Sequence, residues 1–426
     1  MALTASLIDC SAPQEPPIFP RGAAFARSGG AAATETLLHS FVGNSDGSYP
    51  NSSLVAVKAL LFGTTSNGGS GGCTKVNGCG TVYTIDASGN ETVVTTFKGG
   101  TDGEAPNQLL LDSDTTFYGT TWYGGSSGCT LKRGNTSGCG TVFQLSPSGS
   151  EKVIYRFPGG EKGALPSSGL SKFKSVFYGE AAAGGKGDCD TANQPGCGLI
   201  YSVTRSGHVK VIYTFAGGTD AGSPSGGLTA DKGELYGTST AGRKDPACGF
   251  SHGCGTVFKV TPSGKETVLH VFTGKRDDGV LPETGLVLLN GTFYGTTFTG
   301  GTYDCGTTAY FFGCGTIFEI TPSGAEKTIH NFKGGSDGRY PSGLFVVNGV
   351  LYGTTSGGGD GCKPYGGCGT FFKMTASGEK TVLYSFPGTP DVSGPISPFL
   401  YKNGTFYGVS GGGGSHALGT AFAVTL

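Results

Sequence analysis

Residues 253–264 read Gly-Cys-Gly-Thr-Val-Phe-Lys-Val-Thr-Pro-Ser-Gly, and residues 265–272 continue Lys-Glu-Thr-Val-Leu-His-Val-Phe. Two runs rich in β-branched and aromatic residues flank a Pro-Ser-Gly turn, which predicts two antiparallel strands joined by a tight turn. Variants of this stretch recur along the whole chain, so the architecture depends on how often it repeats.

Two markers count the repeats. One is the phenylalanine that closes the second strand, found at Phe41, Phe97, Phe157, Phe215, Phe272, Phe332 and Phe386. The other is the glycine of a Tyr-Gly-Thr-Thr motif, found at Gly63, Gly119, Gly179, Gly237, Gly295, Gly353 and Gly408. The first and last of these glycines bound six steps of about 57 residues, which predicts seven units.

Each unit carries four strand signals, here named strands a to d. In the fifth unit, strand a is residues 285–289, and Asn290-Gly291 turns into strand b, residues 292–297. A longer loop precedes strand c, residues 316–320, and a Pro-Ser-Gly turn leads to strand d, residues 326–332. Four antiparallel strands in each of seven units predict a seven-bladed β-propeller, an all-β fold.

The two ends of the repeat region complement one another. Residues 35–41 read as a strand d without its blade, and residues 419–426 read as a strand c without its strand d. We expect the N-terminal strand d to pair with the C-terminal strand c, because this closes the ring and removes a free sheet edge. The predicted organisation is an N-terminal arm or linker at residues 1–33, rich in Pro, Gly and Ala, followed by a propeller at residues 34–426.

Composition excludes several classes of partner. The chain of 426 residues has 29 basic and 30 acidic residues, whereas a protein that binds nucleic acid or an anionic membrane needs a basic surface. No apolar run is long enough to be a transmembrane segment, and no motif for a cofactor or a metal is present.

The thirteen cysteines favour an exported protein, although residues 1–33 make a poor signal peptide. Twelve of them lie two to a loop between strands b and c: Cys73 and Cys79, Cys129 and Cys139, Cys189 and Cys197, Cys248 and Cys254, Cys305 and Cys314, Cys362 and Cys368. We expect six disulfides within these loops, since zinc would need four ligands and each loop offers two thiolates. The seventh loop has no cysteine.

Cys10 is left over, and a leftover cysteine in an exported protein suggests a bond to another molecule. The arm that carries Cys10 could link subunits, and residues 3–8 could add a strand to a neighbour's sheet. The alternative is a disordered tail.

The long b–c and d–a loops share one face of the ring, named here the long-loop face, and a functional site is expected there. The candidate binding residues are Trp122, Tyr123, Tyr303, Tyr310, His252 and His416. Exposed aromatic rings on a rigid face suit sugar rings or a protein partner, and the alternative is that they cover their own loops. His252 and His416, with Arg133, Arg243 and Lys244, also suggest the groups of a polysaccharide lyase.

Polar residues recur at two positions of the repeat, one in strand d and one in the d–a loop, and both positions are expected to be structural. His39, His270 and His330 share one position in strand d with tyrosine and threonine, which indicates packing. The d–a loops carry Asp46, Asp102, Asp220, Asp278, Asp337 and Asp391. These six aspartates are first turn residues, with calcium binding as the alternative.

The Tyr-Gly-Thr-Thr, Gly-Cys-Gly-Thr-Val-Phe and Thr-Pro-Ser-Gly elements resemble the GloVer tandem-repeat family of bacterial surface proteins. The resemblance covers about residues 35–426 and implies an exported, propeller-like protein without an established activity. We therefore expect an extracellular or cell-surface structural or binding module, without catalytic residues or cofactor, that self-associates through its arm. The alternative is a propeller that binds a glycan or acts as a polysaccharide lyase or hydrolase on the long-loop face.

Overall fold

The computed structural model describes residues 33–73, 78–113, 115–125, 129, 138–187, 189, 196–242, 253–275, 277–305, 313–362 and 366–426. Within them the chain is an all-β, seven-bladed propeller of antiparallel sheets, as predicted. The helical segments in these ranges are two 3-10 turns, Gly160–Lys162 and Gly335–Asp337. The predicted arm lies outside the described residues, apart from Ala33.

The first four blades have these strands. Blade one contains β2 (Ser48–Pro50), β3 (Val55–Val57), β4 (Leu60–Asn67), β5 (Thr81–Ile85) and β6 (Glu91–Thr96). Blade two contains β7 (Gly103–Pro106), β8 (Leu110–Ser113), β9 (Thr116–Gly124), β10 (Thr141–Leu145) and β11 (Glu151–Arg156). Blade three contains β12 (Ala164–Pro166), β13 (Ser171–Phe173), β14 (Val176–Ala183), β15 (Leu199–Val203) and β16 (Val209–Thr214). Blade four contains β17 (Ala221–Asp231), β18 (Glu234–Gly242), β19 (Thr256–Val260) and β20 (Glu266–Val271).

The remaining blades follow the same order. Blade five contains β21 (Gly279–Val280), β22 (Val287–Leu289), β23 (Thr292–Thr297), β24 (Thr299–Gly300), β25 (Thr316–Ile320) and β26 (Glu326–Asn331). Blade six contains β27 (Arg339–Val347), β28 (Val350–Gly357), β29 (Thr370–Met374) and β30 (Lys380–Ser385). Blade seven contains β31 (Val392–Lys402), β32 (Thr405–Gly413), β33 (Thr420–Thr425) and the first strand of the chain, β1 (Thr34–Ser40).

The glycine of the Tyr-Gly-Thr-Thr motif makes room for an aromatic ring on the neighbouring strand. A Cβ added at Gly237 would lie 2.6 Å from Cζ of Phe258, which pairs with it across β18 and β19. The same clash arises at Gly119 and Gly295. A larger residue there would therefore displace a fully buried ring.

That ring in turn meets the phenylalanine that closes strand d of the preceding blade. Phe215 and Phe258 pack edge to face with ring centroids 5.0 Å apart, a favoured arrangement of aromatic rings. The equivalent contacts, with centroids 5.0 to 5.8 Å apart, are Phe41–Tyr83, Phe97–Phe143, Phe157–Tyr201, Phe272–Phe318, Phe332–Phe372 and Phe386–Phe422. Every blade is thus joined to the next by a buried aromatic pair.

The first and last strands lie in one sheet. β1 pairs antiparallel with β33, in a register that places Thr34 opposite Thr425 and Ser40 opposite Thr420. Blade seven also contacts blade one, since Lys402 Nζ donates a hydrogen bond of 2.7 Å to the carbonyl of Lys58. Phe41, which directly follows β1, packs against Tyr83 of blade one, so the aromatic contacts include this junction.

The strand-d histidines lie in the packing position assigned to them. The rings of His39, His270 and His330 pack edge to face on Phe41, Phe272 and Phe332, as the tyrosines of other blades do. Each of the three also approaches an aspartate of the following d–a loop.

Candidate functional site

The long-loop face is organised by a backbone hydrogen bond between neighbouring blades. Leu165, at the start of strand a in blade three, donates from its amide to the carbonyl of Cys139 in blade two at 2.9 Å. The same bond joins Ala105 to Cys79, Ser223 to Cys197, Leu281 to Cys254, Tyr340 to Cys314 and Gly394 to Cys368. In blade seven, which lacks cysteines, Leu418 accepts from Tyr49 at 2.7 Å. The second cysteine of each pair therefore positions the entry of the next blade.

These donors define a ring around the centre of the long-loop face, named here the mouth ring. Its members share a left-handed backbone, with φ between 49° and 64°, and precede a proline: Tyr49, Ala105, Leu165, Ser223, Leu281, Tyr340 and Gly394. Their side chains differ from blade to blade, because the hydrogen bond that repeats in every blade is made by the backbone.

Five of the six predicted disulfides lie within the described residues: Cys73–Cys79, Cys129–Cys139, Cys189–Cys197, Cys305–Cys314 and Cys362–Cys368. Their Cα atoms are 4.8 to 5.6 Å apart, within the range for such bonds. Cys254 is disulfide-bonded, and its predicted partner Cys248 lies outside the described residues, as does Cys10.

The disulfides pack on the glycines of the d–a loops. A Cβ added at Gly217 would lie 2.4 Å from Sγ of Cys189, and one added at Gly99 would lie 2.7 Å from Sγ of Cys73. A single disulfide thus holds a b–c loop, the adjacent d–a loop and the joint to the next blade.

Aromatic side chains stand on this face at positions where most blades have small residues. Trp122 lies in β9, and the equivalent positions are Ser66, Ala182, Thr240, Phe298, Ser356 and Gly411. Trp122 and Tyr123 are half-buried against the core between blades two and three, with ring centroids 6.4 Å apart. Burial and the nearby Glu104 raise the pKa of Tyr123, which keeps its hydroxyl protonated.

Blades five and six carry a second aromatic group. Phe298 stacks on Tyr340 of the mouth ring with centroids 4.9 Å apart, and the Arg339 guanidinium lies 5.0 Å from the Tyr340 ring. Tyr303 is 42% exposed, and Lys333 Nζ lies 5.5 Å from its ring centroid. Tyr303 is one of the predicted binding residues, and Phe298 stands out as aromatic when equivalent positions are compared across the units.

The histidine candidates fall elsewhere. His416 is exposed in the cysteine-free loop of blade seven, where its Nδ1 lies 2.8 Å from Oγ of Ser415. His252 and Tyr310 lie outside the described residues, as do Arg133, Arg243 and Lys244. The described candidates are therefore on blades two, five and seven: Trp122 and Tyr123 lie together, and Tyr303 and His416 lie apart from them. Their role in binding stays a prediction.

The d–a aspartates act as turn residues. Oδ2 of Asp220 accepts from the amide of Ala216 at 2.8 Å, and Oδ2 of Asp337 accepts from the amide of Lys333 at 2.9 Å. Within the ranges the structure describes, no three or more His, Cys, Asp or Glu residues gather as a metal site. No described helix is long and apolar enough to cross a membrane.

Residues 128–309 match the family model described as the Gloeobacter/Verrucomicrobia repeat. The Gloeobacter/Verrucomicrobia repeat match includes blades three and four, and it confirms the resemblance that the repeated motifs indicate. No curated protein matches the chain.

Several solved structures resemble the chain at low identity. The polysaccharide lyase Uly1 is 10% identical with a TM-score of 0.48, and the match covers 90% of each chain. A gluconolactonase from Xanthomonas campestris is 12% identical with a TM-score of 0.39, covering 67% of this chain and 78% of that one. A prolyl endopeptidase is 15% identical with a TM-score of 0.46, covering 85% of this chain. The chain spans 46% of the length of that endopeptidase. At these sequence identities, the structural similarity carries no conclusion about activity.

Proposed function

We propose that the protein is an extracellular, non-catalytic binding module that takes sugar rings on its long-loop face. The observation that carries the proposal is the aromatic ring of Trp122 at a strand-b position where five other blades have Ser, Ala, Thr or Gly. Those blades fold without an aromatic residue there, so blade packing does not require Trp122. A half-buried ring held by a rigid strand is suited to stacking against a flat apolar face.

The surroundings of the aromatic rings favour a sugar over a fully apolar ligand. Tyr123 beside Trp122, and Tyr303 in blade five, each combine an apolar ring with a hydroxyl that forms hydrogen bonds. A sugar presents apolar C–H faces and hydroxyl groups together. Tyrosine and tryptophan can recognise both.

Export is supported by the covalent chemistry of the chain. Five disulfides hold the loops of this face, and such bonds form and persist in oxidising compartments. Self-association through residues 1–33 remains part of the proposal. It predicts that deleting the arm or substituting Cys10→Ser leaves only monomers in size-exclusion chromatography.

The non-catalytic assignment is supported by where the unusual acids lie. Five glutamates with pKa values raised by burial, Glu91 and Glu266 among them, begin outer strands and face neighbouring blades. A further one, Glu180, is fully buried between blades three and four. A lyase or hydrolase would instead need such groups gathered beside the bound sugar.

An array of neutral and uronic-acid oligosaccharides tests the proposal with Trp122→Ala and the control Tyr401→Ala. Tyr401 is an exposed aromatic residue that precedes the short turn between β31 and β32. We expect Trp122→Ala to weaken binding about tenfold or more, as loss of a central aromatic contact does, and Tyr401→Ala to have no effect. Binding that survives Trp122→Ala, or the absence of any binding, contradicts the proposed site. Release of unsaturated sugar products contradicts the non-catalytic assignment.

A further inference from the structure

The blade interfaces repeat an electrostatic interaction between two carboxyl groups. The first belongs to the aspartate of a d–a loop, and the second to the glutamate that begins strand d of the following blade. The five acid pairs are Asp46–Glu91, Asp102–Glu151, Asp220–Glu266, Asp278–Glu326 and Asp391–Glu35. The two members belong to different repeat units, so each acid pair spans an interface between blades.

Each glutamate occupies one register position, opposite the last core residue of strand c. Glu91 pairs with Ile85, and Glu266 pairs with Val260. One oxygen of each glutamate is buried without a hydrogen-bond partner among the described residues. In the first acid pair, Oδ1 of Asp46 and Oε1 of Glu91 are both in this condition. A buried polar atom without a partner is costly, and a proton on one carboxyl would let it donate to the other.

The remaining two interfaces support this interpretation, because neither of them carries two acids at these positions. Between blades five and six the glutamate position is Lys380, whose Nζ lies 2.7 Å from Oδ1 of Asp337. Between blades two and three the aspartate position is Lys162, and the glutamate position is Val209. Glutamate therefore occurs only opposite aspartate at this position in the seven blades, although two negative charges would repel.

We propose that the five acid pairs hold neighbouring blades together more tightly while each pair keeps a proton, so that the ring loosens as the pH rises above neutrality. The proton is bound when a solvent proton adds to one carboxylate oxygen of the pair, and it returns to solvent at higher pH. The blades themselves are unchanged, and the interfaces between them weaken.

A hydrogen-bonding histidine and two basic side chains lie around the first two acid pairs. His39 Nε2 lies 3.3 Å from Oδ2 of Asp46. Burial and then Asp46 raise the pKa of Glu91 to about 7. Burial and Asp102 likewise raise the pKa of Glu151 to about 7, although Arg156 and Lys98 oppose the shift.

Tyrosines face two further acid pairs. Tyr213 donates to Oδ2 of Asp220 at 3.0 Å, and burial and Asp220 raise the pKa of Glu266 to about 7. Burial and Asp391 raise the pKa of Glu35 to about 7, opposed by a hydrogen bond from Tyr384.

The fifth acid pair has a histidine between its members. His270 Nε2 lies 3.8 Å from Oδ1 of Asp278 and 3.8 Å from Oε2 of Glu326. Burial raises the pKa of Glu326. Asp278 and Glu319 add to this rise, whereas His270 opposes it. Because His270 opposes the raised pKa of Glu326, we expect this pair to contribute least to the pH dependence.

The sign of the effect follows from the direction of the shifts. A glutamate with a folded-state pKa of about 7, above its ordinary value of 4.5, binds its proton more tightly in the folded protein. Its stabilising contribution is complete below 4.5 and declines as the pH rises. It is lost once the pH exceeds about 7.

Thermal unfolding of the full, disulfide-bonded chain between about pH 5 and pH 8 tests the proposal. We expect the Tm of the unmodified protein to fall over this range. Glu91→Gln combined with Glu266→Gln, which cannot ionise, should show a smaller fall. The control Glu161→Gln changes an exposed glutamate outside the pairs and should leave the fall unchanged.

A second variant keeps the test decisive if the glutamine variant folds poorly. Glu266→Lys recreates at Asp220 the arrangement of Lys380 and Asp337, and we expect its Tm at about pH 8 to exceed that of the unmodified protein. A Tm that is constant or rises between about pH 5 and pH 8 would overturn the proposal. So would a fall that neither variant reduces.

Discussion

Lys380 of blade six lies 2.7 Å from Asp337 of the preceding d–a loop, at the position where five other blades place a glutamate. The Lys380 side chain is 3% exposed, so this ion pair is buried between two blades. Burial favours a raised pKa at Asp337, but His330 and Lys380 outweigh it and hold that pKa well below its usual range. One position in the repeat thus supports either a shared proton or an ion pair.

We predict that Lys380→Gln destabilises the protein by about 3 kcal/mol, because Asp337 keeps a buried charge without its main partner. The depressed pKa of Asp337 means that the contribution of this pair is present at neutral pH and is lost as the pH falls below about 4. Urea unfolding at pH 7 measures the first effect, with Lys373→Gln on an exposed position of the same blade as control. Equal stability of the two variants contradicts the prediction.

Gly237→Ala should destabilise the propeller by about 1–3 kcal/mol, the usual cost of overpacking. Its Cβ would lie 2.6 Å from Cζ of Phe258 and 3.0 Å from Oε1 of Glu180. Gly411→Ala is the control, because the nearest atom to its Cβ, on Ile396, is 3.7 Å away. Thermal unfolding of both variants compares them, and a Gly237→Ala protein as stable as Gly411→Ala rules out the proposed reason for this glycine.

Glu180 gives a separate pH prediction. It replaces the threonine of the Tyr-Gly-Thr-Thr motif, is fully buried, and accepts a 2.9 Å hydrogen bond from the amide of Gly227 in the next blade. Burial raises the pKa of Glu180 to about 8, so its stabilising contribution is lost as the pH rises through that value. We expect Glu180→Gln to flatten the loss of stability between about pH 7 and pH 9, whereas Glu379→Gln, at an exposed site, does not. An equal loss of stability with pH in the two variants would mean that this loss does not come from ionisation of Glu180.

The disulfides should stabilise the face locally and independently. Replacing both Cys189 and Cys197 by serine opens a loop with a sequence separation of 8, for which the chain-entropy model gives about 2.5 kcal/mol. Hydrogen exchange should also increase at Gly217 and Ser223, which contact this disulfide or its backbone. Unchanged exchange at both residues would mean that the disulfide does not hold the joint between blades three and four.

The fold was predictable because its determinants repeat with a fixed period. The glycine of the Tyr-Gly-Thr-Thr motif and the closing phenylalanine recur in every unit, and the structure explains both through the contact of Phe215 with Phe258 over Gly237. The last threonine of the Tyr-Gly-Thr-Thr motif, Thr297 in blade five, forms a buried hydrogen bond with Thr316, the threonine that follows Gly-Cys-Gly.

The acid pairs could not be predicted in the same way. Asp220 and Glu266 lie in different units, and their electrostatic interaction depends on how two blades pack, which one unit does not specify. The signal in the sequence was the simultaneous change to Lys162 and Val209, visible only after the units are aligned. The long-loop face was predictable as a location, since strand direction assigns the loops to it. The grouping of the aromatic rings on this face was not predictable, because it depends on the conformation of the loops.

Trp122 is the only tryptophan of the chain, so its fluorescence reports directly on the proposed binding site. Titration of the full chain with an oligosaccharide selected from the array is the most direct test of the account. We expect saturable quenching or a blue shift of the Trp122 emission, at concentrations that match the binding measured on the array. A sugar that binds without changing this emission would place the site elsewhere and contradict the proposed function.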